Sequence, residues 1–226
     1  MNKLRIAWFC LLGACGTHSA GTSAAAVDLP FEQELLAAAK AYRDWPRVSD
    51  QANWAPTMCR IPPAAGAQRS DSADADTHGR KLYFLFAKDA ASYRGLWDFE
   101  RQTKAEQTAA LQALQGQVVV KQSWQSVEVD RASVPVLQPR TLGGREHPEE
   151  YAFDGDRAFR TGQHADRFVM LKLDPKTPDT DQGWVYGTLT PDGSRVTASG
   201  RLQTCMDCHV DAPRDRLFGP MPPRTK

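Results

Sequence analysis

Two cysteines and a histidine lie close together in the stretch Cys205-Met206-Asp207-Cys208-His209. The spacing Cys-x-x-Cys-His is typical of c-type haem attachment. Two thiols at this spacing can form thioether bonds to the two vinyl groups of one haem, and the adjacent histidine can then bind the iron as its proximal ligand. The sequence therefore predicts one covalently attached haem c, held by Cys205 and Cys208 and ligated by His209.

Zinc binding and thiol redox chemistry are the alternatives for this motif. A structural zinc site usually has four ligands, which often include a second cysteine or histidine pair. A thioredoxin-like motif would open a helix after a strand in a βαβ unit, and the chain shows no such pattern. The other possible metal ligands are scattered along the sequence: Cys59, His78, His147 and His164. Haem attachment is therefore the favoured interpretation.

The second axial position of the iron has no obvious ligand in the sequence. Met206 lies inside the motif on the proximal side, and Met221 lies in a proline-rich tail. The other candidates have no spacing that demands ligation: Met58, Met170, His78 and Lys121. We therefore expect an open or weakly occupied distal side, which favours binding or chemistry of small ligands over simple electron transfer.

The N-terminal residues predict export from the cytoplasm. Lys3 and Arg5 precede the apolar run IAWFCLLGA at residues 6–14. A short positive region followed by such a run is typical of a secretory signal peptide, and the run is too short for a membrane helix. We therefore expect the protein to be periplasmic.

Two processing routes follow from the residues after the apolar run. The sequence Leu-Gly-Ala-Cys ending at Cys15 resembles a lipobox, so a signal peptide of residues 1–14 would leave Cys15 as a lipid anchor. Cleavage near Ala26, in a run of small residues, would instead release a soluble protein. In the lipoprotein case, residues 15–27 are a flexible tether.

Residues 28–226 are expected to form a single haem domain. The whole chain has 28 basic and 27 acidic residues, so no basic field favours nucleic acid binding. Hydrophobic periodicity and turn residues predict an α+β fold, a mainly antiparallel sheet packed with two or three helices. The predicted elements are helices over 28–45 and 89–115, strands over 78–89, 116–129 and 167–174, a hairpin over 183–202, and long loops over 46–78 and 130–164. The haem motif follows the hairpin on a short helix.

The order of these segments resembles the cytochrome P-460 family, over roughly residues 40–215. The matching stretches are HGRKLYFLFAKDAASY, GQVVVKQSW, FVMLK, GWVYG and the final CMDCH. The resemblance implies a curved antiparallel sheet with helices, a homodimer in many members, and one haem c packed against the sheet. It also implies that His209 is the proximal ligand and that the distal site is vacant or holds a water.

The resemblance also implies roles for Lys121 and Asp166. In the hydroxylamine-oxidising members a strand lysine is covalently linked to the haem rim, and Lys121 in VVVKQSW matches it. Those members carry a distal carboxylate near the FVMLK strand, for which Asp166 is the candidate. Without the resemblance, Lys121 would be interpreted as a solvent-facing strand lysine and Asp166 as a carboxylate at a strand edge.

Together these features predict an exported monohaem cytochrome that binds or oxidises hydroxylamine or nitric oxide and passes electrons to a partner cytochrome. Its enzymatic form would resemble a hydroxylamine oxidoreductase. The alternative is a non-enzymatic cytochrome that binds a gas or transfers electrons without turnover. Arg80, Lys81 and Arg167 are candidates to pair with the haem propionates, although ordinary solvated charges are the simpler interpretation.

Overall fold

The computed structural model describes residues 29–48, 68–69, 79–96, 99–136 and 150–218. The predicted signal peptide, Cys15, the site near Ala26 and the tether lie outside the described residues. The same holds for Cys59, His78 and Met221. Within the described ranges, no helix is long and apolar enough to cross a membrane.

The described residues form one antiparallel sheet of eight strands, of which the first has only two residues. The strands are β1 Gln68–Arg69, β2 Lys81–Ala87, β3 Val118–Val129, β4 Tyr151–Asp154, β5 Arg157–His164, β6 Arg167–Lys172, β7 Trp184–Leu189 and β8 Val196–Gly200. Their order is β1-β2-β3-β6-β7-β8, while β5 pairs with the second half of β3 and with β4. This architecture confirms the predicted α+β class and the mainly antiparallel sheet.

Four α-helices lie within the described ranges. They are α1 Glu32–Ala41, α2 Ala90–Arg94, α3 Lys104–Gln112 and α4 Gln203–His209. The helix predicted over 28–45 is observed as α1, followed by a 3₁₀ turn at Tyr42–Asp44. The motif helix predicted after the hairpin is observed as α4.

The single helix predicted over 89–115 is wrong, because two caps divide it. Asp89 accepts hydrogen bonds from the amides of Ala91 and Ser92 and so begins α2. Thr103 begins α3 through a reciprocal capping box with Glu106. Side chains that satisfy the free amides of a first turn mark a helix start. The apolar periodicity therefore continues across the boundary between two helices, and the capping residues Asp89 and Thr103 set that boundary.

The loop predicted over 130–164 is also wrong in its second half, where β4 and β5 form a hairpin. Gly155 supplies the turn with a φ of 59°, a left-handed conformation that glycine adopts without strain. Ala158 and Phe159 of β5 are buried. The strands predicted over 78–89, 116–129 and 167–174 are confirmed as β2, β3 and β6, and the hairpin over 183–202 as β7 and β8.

The register divides the sheet into two faces, because residues paired across antiparallel strands point to the same side. On the side that we call the covered face, α1 packs against the sheet through residues that are almost fully buried. They are Leu35, Ala38, Ala39 and Tyr42 of the helical segment with Val120, Val169, Leu171, Val185, Leu189 and Val196 of the sheet. This cluster anchors the sheet.

The opposite side, which we call the motif face, packs against α4. Val119, Trp184 and Tyr186 point to this side and are buried in a second cluster, against which Cys205 and Met206 are packed. The end of this face near Val119 and Trp184 is also covered by residues from the segment that contains α2 and α3: Tyr93, Leu96, Phe99 and Leu114. The two faces therefore share one sheet but are closed by different parts of the chain.

Candidate functional site

Helix α4 carries all three residues of the attachment motif. Cys205 is partly buried against the motif face, whereas Cys208 is exposed. Both cysteines are free thiols. Burial raises the pKa of the Cys205 thiol, so this thiol stays protonated at neutral pH. The two side chains are therefore both available for thioether bonds.

The ring of His209 is held in one orientation by three neighbours. Its centroid lies 5.5 Å from that of Tyr186 and 5.3 Å from that of Phe218. Its Nδ1 lies 2.6 Å from the carbonyl oxygen of Arg216. Since a carbonyl can only accept, Nδ1 carries the proton and donates, which leaves the lone pair on Nε2. This tautomer is the one that binds a metal through Nε2.

Burial also keeps this imidazole neutral. Desolvation lowers the pKa of His209, and the amine of Lys121 lowers it further. The hydrogen bond to the carbonyl of Arg216 opposes this effect only in part. A neutral imidazole is the form that ligates iron.

The structure places Lys121 on the motif face, the same side of the sheet as His209. In the register, Lys121 of β3 lies opposite Leu85 of β2 and Phe168 of β6. Its Nζ lies 4.0 Å from the centroid of the Tyr83 ring. Burial, with a smaller contribution from Lys81, lowers the pKa of Lys121 to about 7. The Lys121 side chain is therefore partly enclosed on the motif face and not fully exposed to solvent.

The surroundings of Lys121 are apolar and incompletely covered. Tyr83, Leu85, Phe168 and Met170 all point to the motif face and are only partly buried. Ser123, two residues beyond Lys121, is 1% exposed, and its Oγ has no hydrogen-bond partner among the described residues. A buried hydroxyl normally has a partner. These side chains form an apolar surface beside Lys121, and the motif packed on the same face supplies two thiols and one neutral imidazole.

The other predicted site residues lie elsewhere. Asp166 is exposed in the link between β5 and β6, and its side chain forms no hydrogen bond or ion pair with another described residue. His164 stacks on Trp124, 5.3 Å between ring centroids, on the covered side of the sheet. Arg167 is 2% exposed and donates to the carbonyl of Pro191. The interpretation of Arg167 as a propionate partner is therefore wrong, because its guanidinium is enclosed on the covered face.

Sequence reasoning missed the residues that fix His209. Asp181, just before β7, accepts from Nε and Nη2 of Arg216 at 2.7 and 3.0 Å, and from the hydroxyl of Tyr186 at 3.0 Å. The hydrogen bonds of Arg216 hold the pKa of Asp181 below its usual range. No local pattern marks Asp181 and Arg216 as a pair, because 35 positions separate them.

The described residues also bear on the zinc alternative. Within these ranges, no group of three or more histidine, cysteine or acidic residues could hold a metal ion. Cys59 and His78 lie outside them.

Comparison with known proteins gives no independent assignment. No protein-family model matches the sequence, and no curated protein matches it.

Proposed function

We propose that this protein is an exported monohaem c-type cytochrome of the cytochrome P-460 kind. It binds or oxidises small nitrogen species, such as hydroxylamine or nitric oxide, at an open distal iron site and passes electrons to a partner cytochrome. The observation that carries this proposal is the hydrogen bond from His209 Nδ1 to the carbonyl of Arg216, within a helix that also presents two free thiols. An iron ligand, its orientation and the attachment points are thus supplied together.

Each residue has a distinct task in this proposal. Cys205 and Cys208 attach the porphyrin, and Nε2 of His209 binds the iron. When bound, the haem supplies one-electron chemistry at the iron. The partly buried side chains of Leu85, Phe168 and Met170 would shield one side of the group from water.

Lys121 is the candidate for the chemistry that distinguishes an enzyme from a carrier. With a pKa of about 7, a large fraction of its amine is neutral at neutral pH. A neutral amine is nucleophilic, which the link to the haem rim implied by the family resemblance requires. Replacing a carbon–hydrogen bond of the rim with a carbon–nitrogen bond also releases two protons and two electrons, which an external oxidant must accept. An unlinked Lys121 amine can instead take a proton from a bound substrate and return it to solvent.

One observation favours the non-enzymatic alternative. The side chains around Lys121 are mostly apolar, and Asp166 is exposed and makes no contact with Lys121 or His209 through a hydrogen bond or ion pair. Apolar surroundings in which no carboxylate of the described residues is positioned suit the binding of an uncharged gas better than proton removal from hydroxylamine.

Covalent haem attachment is the first test. We expect the protein, expressed with a c-type haem maturation system, to keep its haem through denaturing electrophoresis. The variant with Cys205→Ala and Cys208→Ala loses the haem because no thioether can form, whereas Met206→Leu, inside the same motif, keeps it. A wild-type protein that loses its haem on denaturation would contradict the proposal.

The visible spectrum of the reduced protein then separates the candidates. A broad, red-shifted Soret band that disappears in Lys121→Arg but persists in Lys81→Arg indicates a cross-linked haem and hydroxylamine chemistry. An ordinary five-coordinate high-spin spectrum, unchanged in Lys121→Arg, favours gas binding. A sharp six-coordinate low-spin spectrum contradicts the open distal site.

A further inference from the structure

The loop that follows the motif has an unusual backbone where it meets His209. Asp215 and Arg216 are consecutive residues with φ values of 50° and 67°. This left-handed conformation is unfavourable for residues with a side chain, and two in succession persist only where the surroundings enforce them. The carbonyl that accepts from His209 belongs to the second of them.

Two ion pairs with well-shielded members enforce this backbone. Asp215 Oδ2 lies 2.7 Å from Nζ of Lys172 at the end of β6, and the two side chains are 17% and 7% exposed. Arg216 forms a two-pronged pair with Asp181, whose side chain is 8% exposed. Tyr186 donates a further hydrogen bond to Asp181 at 3.0 Å. Neighbouring loop residues are therefore tied separately to the framework of the sheet.

We infer that Asp181 is a positioning residue for the iron ligand, acting through the backbone of Arg216. Asp181 holds the guanidinium of Arg216, the strained backbone of Arg216 aims its carbonyl, and that carbonyl fixes the Nδ1–H of His209. This inference rests on the proposed haem function and deepens it. It assigns to this chain the residues that orient the proximal histidine and set how strongly it donates to the iron.

The expected effect follows from the chemistry of an imidazole ligand. A firm hydrogen bond from Nδ1–H gives the ring more electron density, and a more basic ligand stabilises the oxidised iron. Weakening the hold on Arg216 lets the carbonyl move away from His209. The reduction potential then rises, and the bond between the iron and Nε2 weakens.

The test uses the full haem-loaded protein with Asp181→Asn, which keeps the size of the side chain but removes its charge. We expect the equilibrium between oxidised and reduced iron to shift about tenfold towards the reduced form, or about 59 mV for one electron. The iron–histidine stretching frequency in the resonance Raman spectrum should fall. Tyr186→Phe, which keeps the ring beside His209 but removes one hydrogen bond to Asp181, should shift both readouts in the same direction by less.

The matched control is Asp154→Asn. Asp154 forms a partly buried ion pair with Arg69, 2.9 Å between Nη1 and Oδ2, near the other edge of the sheet. This variant should change neither the potential nor the iron–histidine frequency. If Asp181→Asn does not fold, Tyr186→Phe decides the question.

The outcomes separate this inference from the proposed function. A wild-type protein without covalent haem overturns both. A protein with covalent haem whose potential and iron–histidine frequency are the same in wild type, Asp181→Asn and Tyr186→Phe overturns the positioning role alone. A change in both variants, absent from Asp154→Asn, supports it, because an ion pair that only stabilised the fold would not move an iron–ligand vibration.

Discussion

The two faces of the sheet differ in how they are closed. On the covered face, Leu35, Val120 and Leu189 are fully buried in an apolar cluster between α1 and the sheet. On the motif face, Lys121 stands among side chains that are only partly buried. The covered face is closed by α1 of the same chain. The motif face is apolar around Lys121 but only partly covered there by the described residues, so the two faces should respond differently to substitution.

The largest expected effect comes from breaking the covered face. Leu35 is fully buried in the α1 cluster, so Leu35→Ala removes apolar contacts and leaves a cavity. We expect the free energy of unfolding to fall by about 3 kcal/mol, measured by urea denaturation. The Soret spectrum of the folded protein should stay unchanged, because no residue of the motif face has moved. A changed spectrum would contradict the separation of the two faces.

A double variant sharpens this prediction. A Cβ at Gly187 would lie 2.5 Å from Cδ2 of Leu35, so Gly187→Ala alone should also destabilise the protein. In the Leu35→Ala background the same change fills space that the leucine vacated. The two effects should therefore be less than additive, and strict additivity would show that the two residues are not coupled.

Removing the amine of Lys121 from the motif face should change the free energy of unfolding in the opposite direction. We expect Lys121→Met to raise the free energy of unfolding at pH 7 by about 2 kcal/mol, because a partly buried amine is costly to charge. The folded pKa of Lys121 is about 7 against 10.5 in the unfolded chain. Between these values the unfolded chain binds more protons, so wild-type stability gains from rising pH through this window.

The measurement is urea denaturation at several pH values from 7 to 10, with both proteins at the same cofactor content. The variant should lack the part of the rise that comes from Lys121. Two parallel pH profiles would contradict the burial of this amine.

The smallest effect is expected at an exposed ion pair that lies outside the two buried clusters of the covered face and the motif face. Arg157 and Glu128 form an exposed ion pair between β5 and β3, 2.6 Å between Nη2 and Oε2, with side chains 54% and 53% exposed. Solvent screens such a pair. Arg157→Gln should leave both the denaturation midpoint and the haem spectrum within experimental error. A clear loss of stability would mean that the β4–β5 hairpin contributes more than its exposure suggests.

The sequence predicted those elements whose signal is local. Alternation in VVVKQSW placed Lys121 with Val119 and Ser123 on one side of a strand, and the structure confirms this arrangement. The Pro191-Asp192-Gly193 turn is confirmed because its geometry depends on its own residues. The helix over 89–115 failed because helical periodicity carries no information about the competing cap at Thr103.

The arrangement around His209 could not be predicted, because it depends on contacts between distant positions. No sequence pattern around Asp181 indicates its contact with Arg216. The contact forms only when the fold brings the start of β7 beside the loop after α4. The sequence likewise does not indicate that the hydroxyl of Ser123 is buried. The Cys-x-x-Cys-His pattern can be found from the sequence alone because its three residues are close neighbours in the chain, and haem attachment there stays a prediction.

The pairing of β3 has a consequence for how this chain tolerates changes in length. Side chains alternate along a strand, so inserting one residue before Lys121 would turn its amine towards α1 and Val120 towards the motif. A register shift between Trp124 and Ser126 already absorbs one such irregularity against β5. An insertion after Ser126 does not change which side of the sheet the Lys121 side chain faces. Insertions should therefore be tolerated in the half of β3 that pairs with β5 and should disrupt the fold in the half that pairs with β6.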